Sequence, residues 1–269
     1  MLECVVNVSE GRDAAVIAGL TAAVSGAVLD VHSDPHHNRS VFTLVGEDAP
    51  RALTTRCVEM LRIDTHEGVH PRLGVVDVVP FVPLTGSTFA DAVRARDDYA
   101  SWLASTHGVP AFLYGTGATL PQLRREAWKG RLPDMGPASP HPTAGAVCVG
   151  ARDVLVAWNV WLDSPDPGPA RRIAAAVRDP AVRALGLVTG DHTQVSMNLV
   201  DPHTTGPDAA LDRIIPLAAA EGVGVLRCEL VGLVPRAVLR NIPRGRWDEL
   251  DVAEDRTIEA RLDAAGISR

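Results

Sequence analysis

The sequence predicts an α/β (α+β) chain of two ferredoxin-like β-α-β-β-α-β subdomains, residues 1–145 and 146–269, with a ligand cleft between them. Apolar runs of strand length alternate with helix-period segments along the whole chain, and the same order of elements occurs twice. A stretch crowded with Pro and Gly, Arg131 to Gly145, separates the two occurrences.

Leu2 to Val8 is the first apolar run and reads as a strand. Ser9 to Asp13 is turn and cap chemistry ahead of an alanine-rich helix from Ala14 to Val24. Strands follow at Ala27 to Val31 and Arg39 to Val45, with the polar loop Ser33 to Asn38 between them. Pro50 to Leu61 reads as a helix, and the β-branched run Val75 to Val82 as a buried strand. A helix at Phe89 to His107 and a strand at Ala111 to Tyr114 extend this half. The second half runs strand 154–161, helix 169–178, strands near 185–188 and 193–199, helix 208–221 and strand 223–229. Trp247 to Ala265 mixes acids and arginines on a helical period and predicts a solvated terminal helix.

With 46% hydrophobic and 22% charged residues, the 269-residue chain has material for a sizeable core, which excludes disorder. The formal net charge of −7 argues against a nucleic-acid binder, because phosphate contacts need a basic surface. No run approaches the ~18 apolar residues of a membrane helix. Met1-Leu2-Glu3 lacks the basic start of a secretory signal, so a cytoplasmic location is expected. Cys4, Cys57, Cys148 and Cys228 lie far apart without a CxxC pair and read as buried thiols.

His32, His36, His37, His66 and His70 fall between Asp30 and Pro71, together with Asp34, Asp64 and Glu67, the densest titratable region. His66 to His70 spells H-E-x-x-H, the zinc-protease pattern, in which two histidines one helical turn apart bind metal. Gly68 inside the motif and Pro71 directly after it predict a loop entering a strand, and no metal site is expected. The string His32 to His37 reads first as a polar turn that caps its own backbone. Gly115-Thr116-Gly117 lacks the third glycine of a dinucleotide fingerprint, and neither a phosphate loop nor a G-x-S-x-G elbow is present.

Ordered strings along residues 2 to about 240 resemble the glutamate formiminotransferase family. They are ECVVNVSEGR (3–12), SDPHHNRSV (33–41), GVHPRLG (68–74), DVVPFVP (77–83), Gly145 to Asn159, QVSMNL (194–199) and ELVGLVP (229–235). The resemblance implies transfer of a formimino group from N-formimino-L-glutamate to tetrahydrofolate as co-substrate, a step of histidine breakdown, by a homodimer. It also implies the transferase part alone, without a cyclodeaminase domain.

The family's catalytic histidine precedes Pro-Arg, which is His70 here. Its folate segment corresponds to Gly136, Pro137, Ala138, Ser139, Pro140, His141, Pro142, Thr143, Ala144 and Gly145. Arg72 is a candidate to pair with a substrate carboxylate, since guanidinium geometry suits bidentate binding; its other reading is a structural ion pair. His32, Asp34, Asn38 and Arg39 are candidate supporting residues. Val69 and His32 stand where the family usually has acids, so Glu67 or Asp34 would have to substitute. The residues leave open other one-carbon donors, a folate-binding role without turnover, and a metal-dependent hydrolase built on His66, Glu67 and His70.

Overall fold

Alternation along LECVVNV puts Leu2, Cys4, Val6 and Val8 on one side of strand β1 (Leu2–Val8), and all four are buried. The protein, seen in a computed structural model, is described for residues 1–267. Helix α1 (Ala14–Ala22) starts where the Asp13 carboxylate accepts the amides of Ala15 and Val16. Strands β2 (Val28–Asp34) and β3 (Arg39–Val45), helix α2 (Ala49–Met60) and strand β4 (Val76–Pro83) complete the first β-α-β-β-α-β unit. Helix α3 (Phe89–His107) begins at a Thr88/Asp91 capping box and ends at Gly108 in the left-handed region, φ 63°. It leads to β5 (Ala111–Tyr114), the short helix α4 (Leu120–Glu126) and β6 (Val147–Ala151).

The first sheet has the order β2-β3-β1-β4-β6-β5, whose first four strands follow the ferredoxin-like pattern, with β6 and β5 added parallel to β4. Phe42, Leu53, Phe81, Tyr99 and Leu103 close its core without measurable exposure. Contacts divide the described chain at residues 153 and 154. Strand β6 is hydrogen-bonded between β4 and β5, so the first unit runs past the 145/146 boundary expected from the Pro- and Gly-rich stretch.

The second unit contains β7 (Val156–Leu162), α5 (Pro167–Val177), β8 (Val182–Thr189), β9 (His192–Leu199), α6 (Pro207–Ala220) and β10 (Val225–Val231). Its antiparallel sheet, β10-β7-β9-β8, is again ferredoxin-like. Trp158 anchors this core and donates its indole N–H to the Leu250 carbonyl at 2.9 Å. Helices α7 (Arg236–Asn241) and α8 (Ile258–Ala264) follow. The expected single surface helix from Trp247 to Ala265 is instead a 3-10 turn, Glu254–Arg256, and the short α8. Leu250, Val252, Ile258 and Leu262 are buried, and Asp251 at φ 56° interrupts any helix there. All four cysteines are buried and free.

One carboxylate is sealed from water at the start of the central strand β4. Asp77 on β4 has no exposure at all, and the β1–β4 register passes it over, since Asn7 pairs with Val78 and Val8 with Val76. This bulge places the carboxylate among donors. Arg39 Nη1 donates to Oδ2 at 2.6 Å, Arg124 Nη2 to the same oxygen at 2.6 Å, and the Leu73 amide to Oδ1 at 2.9 Å. Burial alone would raise this carboxyl, but the guanidiniums of Arg39 and Arg124 outweigh it and hold it well below the usual range.

Replacing Asp77 leaves two guanidiniums facing each other without their counter-charge. Asp77→Asn is expected to destabilise the chain by about 3–5 kcal/mol in urea unfolding. A loss under about 1 kcal/mol, the scale of an exposed pair, would show that the carboxylate is not the centre of this packing.

Candidate functional site

Three loops meet at the Asp77 end of the first sheet, and the first is the β2–β3 turn. Asp34 Oδ1 accepts the amides of His36 at 2.7 Å and His37 at 2.9 Å, an Asx turn. Asn38 lies at φ 47°, a left-handed conformation that Asn tolerates better than most residues. Its Oδ1 accepts the Gly11 amide at 2.9 Å, and its Nδ2 donates to the Glu67 carbonyl at 2.9 Å. The β1–α1 turn is thereby joined to the loop before β4. Only Gly fits at position 11, because a Cβ would lie 2.5 Å from the Arg39 nitrogen. Arg39 starts β3 and donates from Nε to Asn7 Oδ1 at 3.1 Å. His32 lies on β2 opposite Val41 and is half-buried.

The second loop joins the 3-10 turn Ile63–Thr65 to β4. Residues 66–70 form no helix, so the H-E-x-x-H spacing does not bring its histidines to one face. Among the described residues no three His, Cys, Asp or Glu side chains are grouped to hold a metal ion. Arg72 is the clasp of this loop. Its Nε donates to the His70 carbonyl at 3.0 Å, Nη1 to the Asn38 carbonyl at 3.1 Å and Nη2 to the His37 carbonyl at 2.9 Å, and Nη1 also meets His66 Nε2. The guanidinium is taken up by backbone carbonyls, which tie this loop to the β2–β3 turn. Its pKa is lowered to about 10, first by burial and then by Arg39.

His70 is half-buried in the same loop. Its Nδ1 lies 2.8 Å from the Pro71 carbonyl oxygen. A carbonyl only accepts, so Nδ1 carries the hydrogen and Nε2 keeps its lone pair. Burial, followed by the nearby Arg39 charge, lowers the His70 pKa to about 3, and burial followed by Arg72 lowers that of His66 to about 4. Both rings are neutral at pH 7. Arg124, on α4, reaches the same Pro71 carbonyl at 2.7 Å while it holds Asp77.

The third loop, residues 136–145, is stapled to both ends of the second. The Ile63 amide donates to the Thr143 carbonyl at 2.7 Å and the Val75 amide to the Ala144 carbonyl at 3.0 Å. His141 Nδ1 accepts the amides of Thr143 and Ala144, while His141 and Gly145 exchange backbone hydrogen bonds at 2.9 Å. Gly145 is required at φ 73°, against the Leu73 backbone. Residues Gly136 to Pro140 and Pro142 are exposed. A cavity of about 380 Å³ opens where the first two loops meet, lined by Ser9, Glu10, Arg12, Asn38, His66 and Glu67 among others.

The structure thus gathers Asp34, Asn38, Arg39, His70 and Arg72, with Thr143 to Gly145 tied to the ends of the His70 loop, whereas Gly136 lies against Pro110 and Ala104. Sequence reasoning missed Asp77 and Arg124 as parts of this site. A carboxylate inside an otherwise apolar strand was a readable signal for Asp77, since a buried charge needs partners. Arg124 carries no such signal, because the turn that aims it is visible only in three dimensions.

Comparison with known proteins supplies the family. Residues 1–152 match the formiminotransferase domain, N-terminal subdomain. The chain is 36% identical over 273 residues to the glutamate formimidoyltransferase of Streptococcus pyogenes serotype M1, covering 90% of this chain and 91% of that protein. It is 32% identical over 301 residues to the glutamate formimidoyltransferase of Thermoplasma acidophilum, covering 98% of each. Against the formimidoyltransferase-cyclodeaminase of Sus scrofa it is 35% identical over 276 residues, which is 89% of this chain but 51% of that longer protein. With a domain match over more than half its length and relatives above 30% identity along nearly all of it, the chain belongs to the glutamate formimidoyltransferase family, a family of transferases.

Proposed function

We propose that the chain transfers the formimino group of N-formimino-L-glutamate to N5 of tetrahydrofolate, with His70 as the proton carrier. The observation that carries this reading is the neutral His70 ring, whose Nδ1–H is tied to the Pro71 carbonyl and whose Nε2 lone pair is available as a base. Tetrahydrofolate N5 attacks the amidine carbon and loses its proton to Nε2. The tetrahedral intermediate then collapses as the same proton passes to the glutamate nitrogen, the C–N bond to glutamate breaks, and 5-formimino-tetrahydrofolate and glutamate leave. One ring serves both steps, since the proton it takes from N5 in the first is the one it returns to the glutamate nitrogen in the second.

The surroundings favour an anionic donor. Arg39 and Arg124 share a single buried carboxylate, Asp77, while Arg72 is taken up by carbonyl oxygens, so these three guanidiniums carry more positive charge than Asp77 offsets, toward the carboxylates of formimino-glutamate and of the folate tail. Residues Gly136 to Pro140 and Pro142 are exposed and are the part of this loop we propose for the polar edge of a flat pterin. Among the described residues no helix is long and apolar enough to cross a membrane. A cytoplasmic homodimer is the form we propose, on the family resemblance.

The test is the rate of 5-formimino-tetrahydrofolate formation with and without a chelator, for the wild type and His70→Ala. Activity resistant to chelator and reduced about 10²–10⁴-fold in the variant is expected, with tetrahydrofolate binding retained. Folate binding by a wild type inactive toward formimino-glutamate would point to a different donor, and full activity in His70→Ala would remove the histidine from the chemistry.

The neutral rings also predict a pH dependence of stability. An unfolded histidine takes up a proton near pH 6.5, whereas His70 and His66 resist it down to about 3 and about 4 in the fold. The unfolded chain therefore binds more protons below about pH 6.5, so stability falls as the pH drops from there. Urea midpoints at pH 7 and pH 5 are expected to differ less in His70→Ala than in the wild type. Equal slopes would mean that the ring is protonated alike in both states.

A further inference from the structure

We propose that Arg124 is a positioning residue for the transfer: by sharing the Pro71 carbonyl with His70, it fixes which ring nitrogen of that histidine acts as the base. The inference rests on His70 as the proton carrier and names the group that sets its tautomer.

The Pro71 carbonyl oxygen receives two donors, Arg124 Nη1 at 2.7 Å and His70 Nδ1 at 2.8 Å. A carbonyl has two lone pairs and no hydrogen to give. Once Arg124 holds one lone pair, the direction of the other is set, and it meets His70 only if Nδ1 carries the hydrogen. Pro71 itself is exposed and has no N–H to anchor it, so this carbonyl depends on what grips its oxygen.

Arg124 is in turn well held. Nη2 lies 2.6 Å from Asp77 Oδ2 and Nη1 3.3 Å from Oδ1, a two-point grip on a carboxylate with no solvent exposure. Its helix is seated by the fully buried Leu123 and starts where Thr119 caps the Gln122 amide. Asp77 is fixed from the other side by Arg39 and by the Leu73 amide. Position passes from the sheet bulge at Asp77 through Arg124 and Pro71 to His70. A planar guanidinium suits this place, because it presents separate N–H groups to the carboxylate and to the carbonyl at once.

The test uses the full chain labelled with ¹⁵N-histidine, with His70 signals identified by their loss in His70→Ala. The wild type is expected to show Nδ1–H and an unprotonated Nε2. In Arg124→Ala the signal should move toward the Nε2–H tautomer, and kcat should fall about 10–100-fold, as for other residues that orient a functional histidine. The fall in kcat should exceed any rise in KM for either substrate, and added guanidinium should recover part of kcat. Arg124→Lys keeps a cation beside Asp77 without the planar fork, covers the case in which the alanine variant does not fold, and is expected to show the same tautomer change.

An Nε2–H tautomer in the wild type, or a folded Arg124 variant with unchanged tautomer and kcat, overturns the role of Arg124. Full activity in His70→Ala overturns the proton-carrier reading and this inference with it. An inactive His70→Ala beside unaffected Arg124 variants removes only the role of Arg124.

Discussion

A carboxylate sealed from water holds this site together. Asp77 lies within an otherwise apolar strand, and an isolated charge there would be too costly to keep. Arg39 and Arg124 make it tolerable, and each also extends beyond the pair: Arg39 to Asn7 on β1, Arg124 to the loop that carries His70. The interaction is therefore more an organiser than a source of net stability, since a buried ion pair gains little over well-packed apolar side chains. Its value is geometric. It ties β1, β3, β4 and α4 to one point and leaves the His70 loop little freedom to turn.

The loops around that point are held by backbone acceptors more than by opposite charges. Arg72 closes on the carbonyls of His37, Asn38 and His70, and Asn38 links Gly11 to Glu67. Each bond is modest by itself, about 0.5–1.5 kcal/mol, but together they join segments far apart in sequence. A result is a buried imidazole beside guanidiniums, kept deprotonated first by its burial and then by the Arg39 charge.

Much of the fold was legible in the chain. The runs Leu2 to Val8, Arg39 to Val45 and Val75 to Val82 announced central strands through their apolar and β-branched content, and the repeated β-α-β-β-α-β order matches both sheets. Gly68 and Pro71 rightly excluded a helix across the H-E-x-x-H string. What failed was local. Trp247 to Ala265 has helical spacing of charge, yet Leu250, Val252 and Ile258 turn inward and the chain breaks at Asp251. Helix α4 and strand β6 flank the Pro- and Gly-rich stretch Arg131 to Gly145 and were not expected from the sequence.

The site divides along the same line. The sequence by itself determined the residue types, the loop around His70 and, through ordered strings, the family, because these depend on neighbours a few positions apart. The tertiary structure alone decided the partners: that Arg72 clasps carbonyls, that Asp77 joins Arg39 to Arg124, and that Arg124 meets His70 at one carbonyl oxygen. Those contacts span 38 to 53 positions in the case of Arg39–Asp77, Arg124–Asp77 and Arg124–Pro71. They are set by how strands are ordered in the sheet and where a bulge falls, which local pattern does not encode.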